Sequence, residues 1–322
     1  DWHVQVGDCR FGEFEVSRGE WLEFVRSCEA DPRRVPAFLR DLWRPFVDPD
    51  PKKVTEAQRV AAGFANQFID AWWDRVQEHH AEVYKEDVER PTDFVAPLPA
   101  AYGTLLLVPP TWVRIGAFEE FTSALPEGTA RLPVTDISWF DAVAFAHWAS
   151  KELGISLRLP TAMEWIRAGN GGNPDLHYPW GNPQPNQARH PRFACNSTSY
   201  WGGLAETPEL LPVDYAFADG GNTAEGVQQM SGNAREWLHN HELAAQDGFY
   251  GTKLSEMIEV QLSEDEPPVL QVRATAPTLG GSFRQAIQDC TVDMTSLKVL
   301  SKFGRWNDVG FRLWAPSNWM GG

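Results

Sequence analysis

The stretch GGSFRQAIQDC, Gly280 to Cys290, sets two adjacent glycines, a serine and an aromatic ahead of one cysteine. A thiolate at Cys290 could serve as a nucleophile or a soft-metal ligand; a thiol without such a role is a small, buried apolar group. Cys9, Cys28 and Cys195 complete the set of four, and so few thiols in so long a chain make no disulfide framework. Four packed thiols are the expectation. In WLHNHE, strand alternation puts His239 and His241 on one face beside Glu242, an arrangement suited to zinc or iron, but two imidazoles are not a complete site. His79 and His80 are neighbours on a helix and point in different directions, so they cannot share an ion through helical geometry.

These groups must be held by the elements around them. RFGEFEVSRGEWLEFVR reads as a short strand with Phe11, Phe14 and Val16, then a helix capped by Ser17 with Glu20 at the third position. Trp21, Phe24 and Val25 mark its buried face. Residues 27–90 change texture: a breaker, DPDPKK, precedes a long helical pattern with Thr55 as cap and Val60, Phe64, Phe68, Ile69, Trp72, Trp73 and Val76 recurring three and four apart. This is a helical insertion within one domain spanning 1–322. SWFDAVAFAHWASKELG is a second capped helix, with Ser138 and Asp141 at its start and Trp139, Ala142, Val143, Ala146, Ala149 and Leu153 on one stripe. TAMEWIRAGNGG is a third, with the Thr161–Glu164 box and Gly169 as its stop. Long coil follows, and short strands return in REWLHN, LGGSF and VGFRLW.

The 28 basic and 44 acidic residues leave a net charge of −16, a field that disfavours nucleic acid, and no basic patch offsets it. No apolar run is long enough to span a membrane, and no signal peptide is visible, so cytoplasm is the favoured compartment. Fifteen tryptophans point to loops packed around large rings.

The motifs LPVTDISWFDAVAFAHWASKELGISLRLPTAMEW, YPWGN, GVQQMSGNAREW, LGGSF and NDVGFRLW, in this order, resemble the formylglycine-generating enzymes and the wider sulfatase-modifying-factor family. The resemblance covers Phe11 to Trp314 apart from the insertion. It implies an α+β, C-type-lectin-like fold with little regular structure. The family's glycine-rich opening strand is not seen, so the N-terminal edge is either cut or built differently.

In that family two cysteines after GGS hold copper and activate oxygen. The second falls on Cys290, but the first falls on Gln285, and an amide is no soft anionic ligand. Any of Cys9, Cys28 or Cys195 could fill the gap in space, and the spacing singles out none. Copper is therefore not expected, and Cys290 is carried as the one catalytic candidate. GVQQMSGNAREW resembles the family's calcium loop, which places ligands at Gln229, Gly232, Ala234 and Glu236, with Asn196 for a second ion. Ser282 and Arg312 take positions that line the family's substrate groove; Arg312, a charge inside a strand, reads rather as half of a buried ion pair. EHHAEVYKE lacks the ligand spacing of the hercynine-oxygenase relatives.

With the thiol pair broken, the favoured function is a non-oxidase module that binds a protein or other macromolecule. The fold is also used by variable proteins diversified by retroelements, whose variable stretch precedes the closing strand. Here 284–306 occupies that place, with Ser282, Arg284, Gln285, Gln288, Asp289, Asp293, Met294, Ser296, Lys298, Arg305 and Trp306 as the candidate ligand-binding residues. The alternative is a metal-dependent oxidoreductase with a one-cysteine site. A third reading, a recognition domain within a larger protein, is open.

Overall fold

The computed structural model describes residues 3–39, 56–85, 87, 107–112, 125, 128–182, 195–198, 210–215, 221–239, 260–262, 270–272 and 275–317. In chain order the elements are β1 (His3–Val6), β2 (Cys9–Gly12), α1 (Arg18–Ala30), α2 (Glu56–His79), α3 (Trp139–Leu153) and α4 (Ala162–Asn170). They are followed by β3 (Arg235–Trp237), β4 (Val260–Leu262), β5 (Leu270–Val272), β6 (Thr275–Leu279), β7 (Lys298–Ser301), β8 (Val309–Gly310) and β9 (Trp314–Pro316). Helices and short strands joined by long irregular segments make this an α+β protein of modest regular structure, as expected.

The expected capping boxes open three helices. Ser17 with Glu20 starts α1, Ser138 with Asp141 starts α3, and Thr161 with Glu164 starts α4; each hydroxyl accepts from a backbone amide and each carboxylate reaches back to one. The end of α4 differs from expectation. Gly169 lies inside the helix, where a Cβ would come within 2.7 Å of Val292 Cβ, and left-handed Gly171 closes the last turn. Leu153, expected on the buried stripe of α3, is exposed, because the helix ends there and only its earlier turns are enclosed.

Trp21 stacks on Phe145 at 5.7 Å, and Phe311 meets both rings edge-on, so α1, α3 and the chain near β8 share one aromatic core. Phe68, Ile69, Trp72, Trp73 and Val76 of α2 join that same core, which fits the three-and-four spacing of the insertion's second half. Arg75 of α2 is held 2.7 Å from Asp136. After α2 the helix loosens into a π turn, His80–Tyr84. Thr55 and the side chains of Val60 and Phe64 lie outside the described residues.

The central sheet has the order β7-β6-β3-β8, with β3 and β8 parallel and the other neighbours antiparallel. A second sheet, β1-β2-β9, joins the two ends of the fold, pairing Phe11 with Trp314. The N-terminal edge is thus built by a hairpin, β1–β2. A separate pair, β4–β5, completes the strands described.

Candidate functional site

The site lies where β6 runs out at Leu279 and the chain turns through Gly280 and Gly281. Gly281 has φ +69, and a Cβ there would fall 2.6 Å from Cys290 Sγ and from the Asp289 carbonyl oxygen. Across from it, Gly232 has φ +76, and a Cβ would fall 2.6 Å from Cys195 Sγ and 2.4 Å from the Asn196 carbonyl oxygen. Neither position tolerates a side chain, and their bareness lets three segments close on one another. Gly232 N–H donates to the Gly280 carbonyl at 2.8 Å, Thr198 N–H to Gln285 at 2.9 Å, and Phe283 N–H to Asn233 at 2.9 Å.

This closure places Cys195 against Cys290, their sulfurs joined by a hydrogen bond, both as free thiols with 0% exposure. Of the three thiols that sequence left open as neighbours of Cys290, it is Cys195 that the fold brings to it. The partner comes from a segment far away in sequence, which is why spacing could not single it out. The two thiols are not equivalent. Burial opposes ionisation of Cys195, yet hydrogen bonds from Cys290, Ser197 and Ser231 outweigh it and hold that thiol below the ordinary range. Cys290, which donates to Cys195 and is itself buried, is pushed far above it. The one Ser231 hydroxyl proton lies between the Cys195 sulfur and the Cys290 carbonyl.

Gln285, at the missing-thiol position, has a different task. Its amide oxygen accepts from Arg235 Nη2 at 2.5 Å, while Arg235 Nη1 donates to the Ser296 carbonyl at 2.7 Å. Arg235 is buried, and its charge lowers the cost of ionising Cys290. On the outer side, the loop carrying Tyr178 and Trp180, whose rings stack at 5.3 Å, closes over the turn. Tyr178 donates to the Ile287 carbonyl at 3.2 Å, His177 pairs with Asp293, and Val292 N–H donates to the His177 carbonyl at 2.8 Å. Burial, followed by the charges of Cys195 and Cys290, pushes the Tyr178 phenol up to about 12. Tyr178 of YPWGN and Arg235 of GVQQMSGNAREW lie inside motifs that carry the family resemblance, but nothing in their spacing assigns either a place beside the sulfurs.

The expected binding face divides in two. Arg284, Gln288, Asp289, Met294 and Lys298 are exposed, as is Val299 beside them. Ser282, Ser296 and Arg305 face inward, contrary to expectation. Ser282 Oγ donates to Asp308 at 2.7 Å, Ser296 Oγ donates to the Thr291 carbonyl at 2.7 Å, and Arg305 lies 2.6 Å from Asp141. Trp306 is half-buried against Trp237 at 5.6 Å. Gln285 and Asp293 are half-buried and engaged within the chain.

Of the four calcium-loop positions, Glu236 is already engaged within the chain. Glu236, the one anionic ligand among them, accepts from Arg312 Nε and Nη2 at 2.7 Å each and from Trp165 Nε1 at 2.7 Å. The guanidinium neutralises this carboxylate, which matches the buried ion pair expected of Arg312. Gln229 adopts φ 57 and keeps an unpartnered buried Oε1, Ala234 N–H donates to Glu15 at 3.1 Å, and Asn196 Nδ2 donates to Asn233 at 3.0 Å. Glu15, which sequence reasoning did not single out, is fully enclosed; burial and then the Glu236 charge push its carboxyl up to about 8. His239 is buried, while His241 and Glu242 lie outside the described residues. Among the described residues no group of three or more His, Cys, Asp or Glu converges on a metal position.

The sequence is similar to the formylglycine-generating enzyme of Thermomonospora curvata, 37% identical over 144 residues, which are 40% of this chain and 41% of that protein. It is similar to the inactive C-alpha-formylglycine-generating enzyme 2 of Mus musculus, 34% identical over 125 residues, 36% of this chain and 35% of that one. The matches thus span about two fifths of these relatives. Among solved structures, the variable protein 1 of Treponema denticola is similar at 18% identity and a TM-score of 0.40, over 60% of this chain and 74% of that one. The model of the sulfatase-modifying factor enzyme 1-like domain matches residues 3–315. Running from β1 to the end of the β1-β2-β9 sheet, that match shows that the chain belongs to the sulfatase-modifying-factor family of formylglycine-generating-enzyme-like proteins.

Proposed function

We propose that the chain is a non-oxidase binding module that docks a protein ligand on the outer face of 284–301. The observation that carries this reading is the enclosure of both sulfurs: Cys195 and Cys290 have 0% exposure, so the thiol of a protein substrate has no path to exchange with either. The family's first thiol position, Gln285, orients Arg235 instead. Outside, Met294 at 53% and Val299 at 60% exposure give the face apolar contact area, with Arg284, Gln288, Asp289 and Lys298 as a polar rim. A metal-dependent oxidoreductase is the second reading, favoured by the Cys195–Cys290 contact and opposed by the burial of that contact.

A peptide-display selection on the immobilised protein, repeated with Met294→Asp/Val299→Asp, tests the proposal. Binders that lose retention on the double variant are expected. Binders indifferent to it, or aldehyde formation from a cysteine peptide incubated with the copper-treated protein in air, overturn the reading.

A further inference from the structure

We propose that the outer edge of β7 takes up an extended segment of a partner protein as an added strand, with a carboxylate of that segment meeting Lys298. The inference rests on the docking of a protein ligand at 284–301 and adds the ligand's conformation and charge. β7 is the end strand of the order β7-β6-β3-β8, and Lys298, Val299 and Ser301 are exposed along it. Leu300 is half-buried and packs against the aromatic core.

The residues of β6 set which backbone groups face outward. Pro277 stands opposite Val299 and has no N–H, so this pair cannot exchange hydrogen bonds. In an antiparallel ladder the bonded pairs are then the neighbours, Thr278 with Lys298 and Ala276 with Leu300. Thr278 Oγ1 donates to the Lys298 carbonyl at 3.1 Å, which puts that carbonyl on the β6 side. The N–H and C=O of Val299 therefore point away from β6, and so do those of Ser301. The Ser301 carbonyl is taken by the Gly304 N–H at 3.1 Å, where the chain turns away. The edge is left with the Val299 N–H, the Val299 C=O and the Ser301 N–H, and among the described residues no backbone group bonds to these three.

Donors and an acceptor in one row match an extended chain, which offers the complementary groups at the same spacing. A helix keeps its backbone groups paired within itself and does not match. Around this row, Val299 at 60% and Met294 at 53% exposure give apolar contact to side chains of the incoming strand. Lys298 is the one charged residue of β7. A lysine on an open edge opposes unselective pairing and favours a strand that brings an acidic residue. A second copy is the poorer occupant, because KVLS holds no carboxylate to meet Lys298. The overall charge of −16 does not decide this contact, since exposed charges more than about 10 Å apart are screened at ordinary salt.

The probe is a peptide that the display selection recovers and that Met294→Asp/Val299→Asp releases, its affinity read by fluorescence anisotropy. Methylating its backbone nitrogens one at a time is expected to weaken binding by about tenfold at alternate residues, with little change between them. Val299→Pro removes the outward N–H and spares the ladder to β6; it is expected to weaken binding by about tenfold, and Val299→Thr, which keeps that N–H, by less than about threefold. Acidic peptides are expected to dominate the selection, and Lys298→Glu to weaken them by about tenfold. A methylation profile without alternation, equal losses in Val299→Pro and Val299→Thr, or indifference to Lys298→Glu overturns the added strand and leaves docking intact. Recovery of no such peptide overturns the docking, and the added strand with it. Should Val299→Pro fail to fold, the methylation profile on the wild type decides. A wild type that light scattering shows to be a dimer, and that Val299→Pro makes monomeric, assigns the edge to a second copy and overturns the proposal.

Discussion

Arg312 donates to five oxygens: both of Glu236 at 2.7 Å, and the carbonyls of Gln228 at 2.9 Å, Gly12 at 3.1 Å and Glu13 at 3.4 Å. Replacing it with methionine keeps much of its volume and leaves Glu236 buried with Trp165 as its remaining donor. Stranding one member of a buried pair costs about 3–5 kcal/mol. In urea, with a slope near 3 kcal/mol per M for a chain of this size, the unfolding midpoint is expected to fall by about 1–1.7 M. Glu236→Gln keeps an acceptor for both Trp165 and Arg312 but leaves the buried guanidinium without its counter-charge, and is expected to cost about 3–5 kcal/mol as well. The double variant Arg312→Met/Glu236→Gln buries no uncompensated charge, so it is expected to be more stable than Arg312→Met alone. Tryptophan fluorescence follows all four proteins. A midpoint for Arg312→Met within about 0.3 M of the wild type, or a double variant whose loss equals the two single losses added, would refute the charge-stranding argument.

Gly281→Ala forces a side chain onto φ +69 against the Asp289 carbonyl and Cys290 Sγ; a loss of about 2–4 kcal/mol is expected, with faster alkylation of Cys195 and Cys290. For Glu15, the folded carboxyl at about 8 lies above its ordinary value of 4.5, so the folded state holds a proton that the unfolded state has released between those values. Stability is therefore lost as pH rises through that window, by up to about 1.4 kcal/mol per unit, and Glu15→Gln is expected to flatten the difference in urea midpoint between pH 5 and 7.5. Met294→Asp/Val299→Asp touches only exposed side chains and is expected to leave stability within about 0.5 kcal/mol, checked by the same midpoints.

The helices were legible because their signals are local. Ser17, Ser138 and Thr161 lie within three residues of the carboxylates that complete their caps, and the stripe from Phe68 to Val76 repeats on one helix face. The end of α4 was misread because the packing of Val292 against Gly169, which no local pattern encodes, decides which glycine closes it. Much the same holds for the site. Cys290 and the glycines before it stand out in a linear reading, whereas its meeting with Cys195 depends on Gly232 and Gly281 clearing space from opposite sides. Ser282, Ser296 and Arg305 look like surface polar groups in sequence, and only the positions of Asp308, Thr291 and Asp141 reveal that they point inward. The family's motif order, by contrast, carried the fold across the whole match.

The strand that carries Phe11 closes against the one that carries Trp314, and 300 positions separate Gly12 from the guanidinium that binds its carbonyl. A ribosome emits the first hairpin and α1 long before their partners exist, so Trp21 and Phe24 await Phe311 with their apolar faces uncovered. Such late closure slows folding and lengthens the interval in which nascent chains can associate wrongly. Yield in a host is therefore expected to depend on elongation speed and chaperone supply more than on the finished protein's stability.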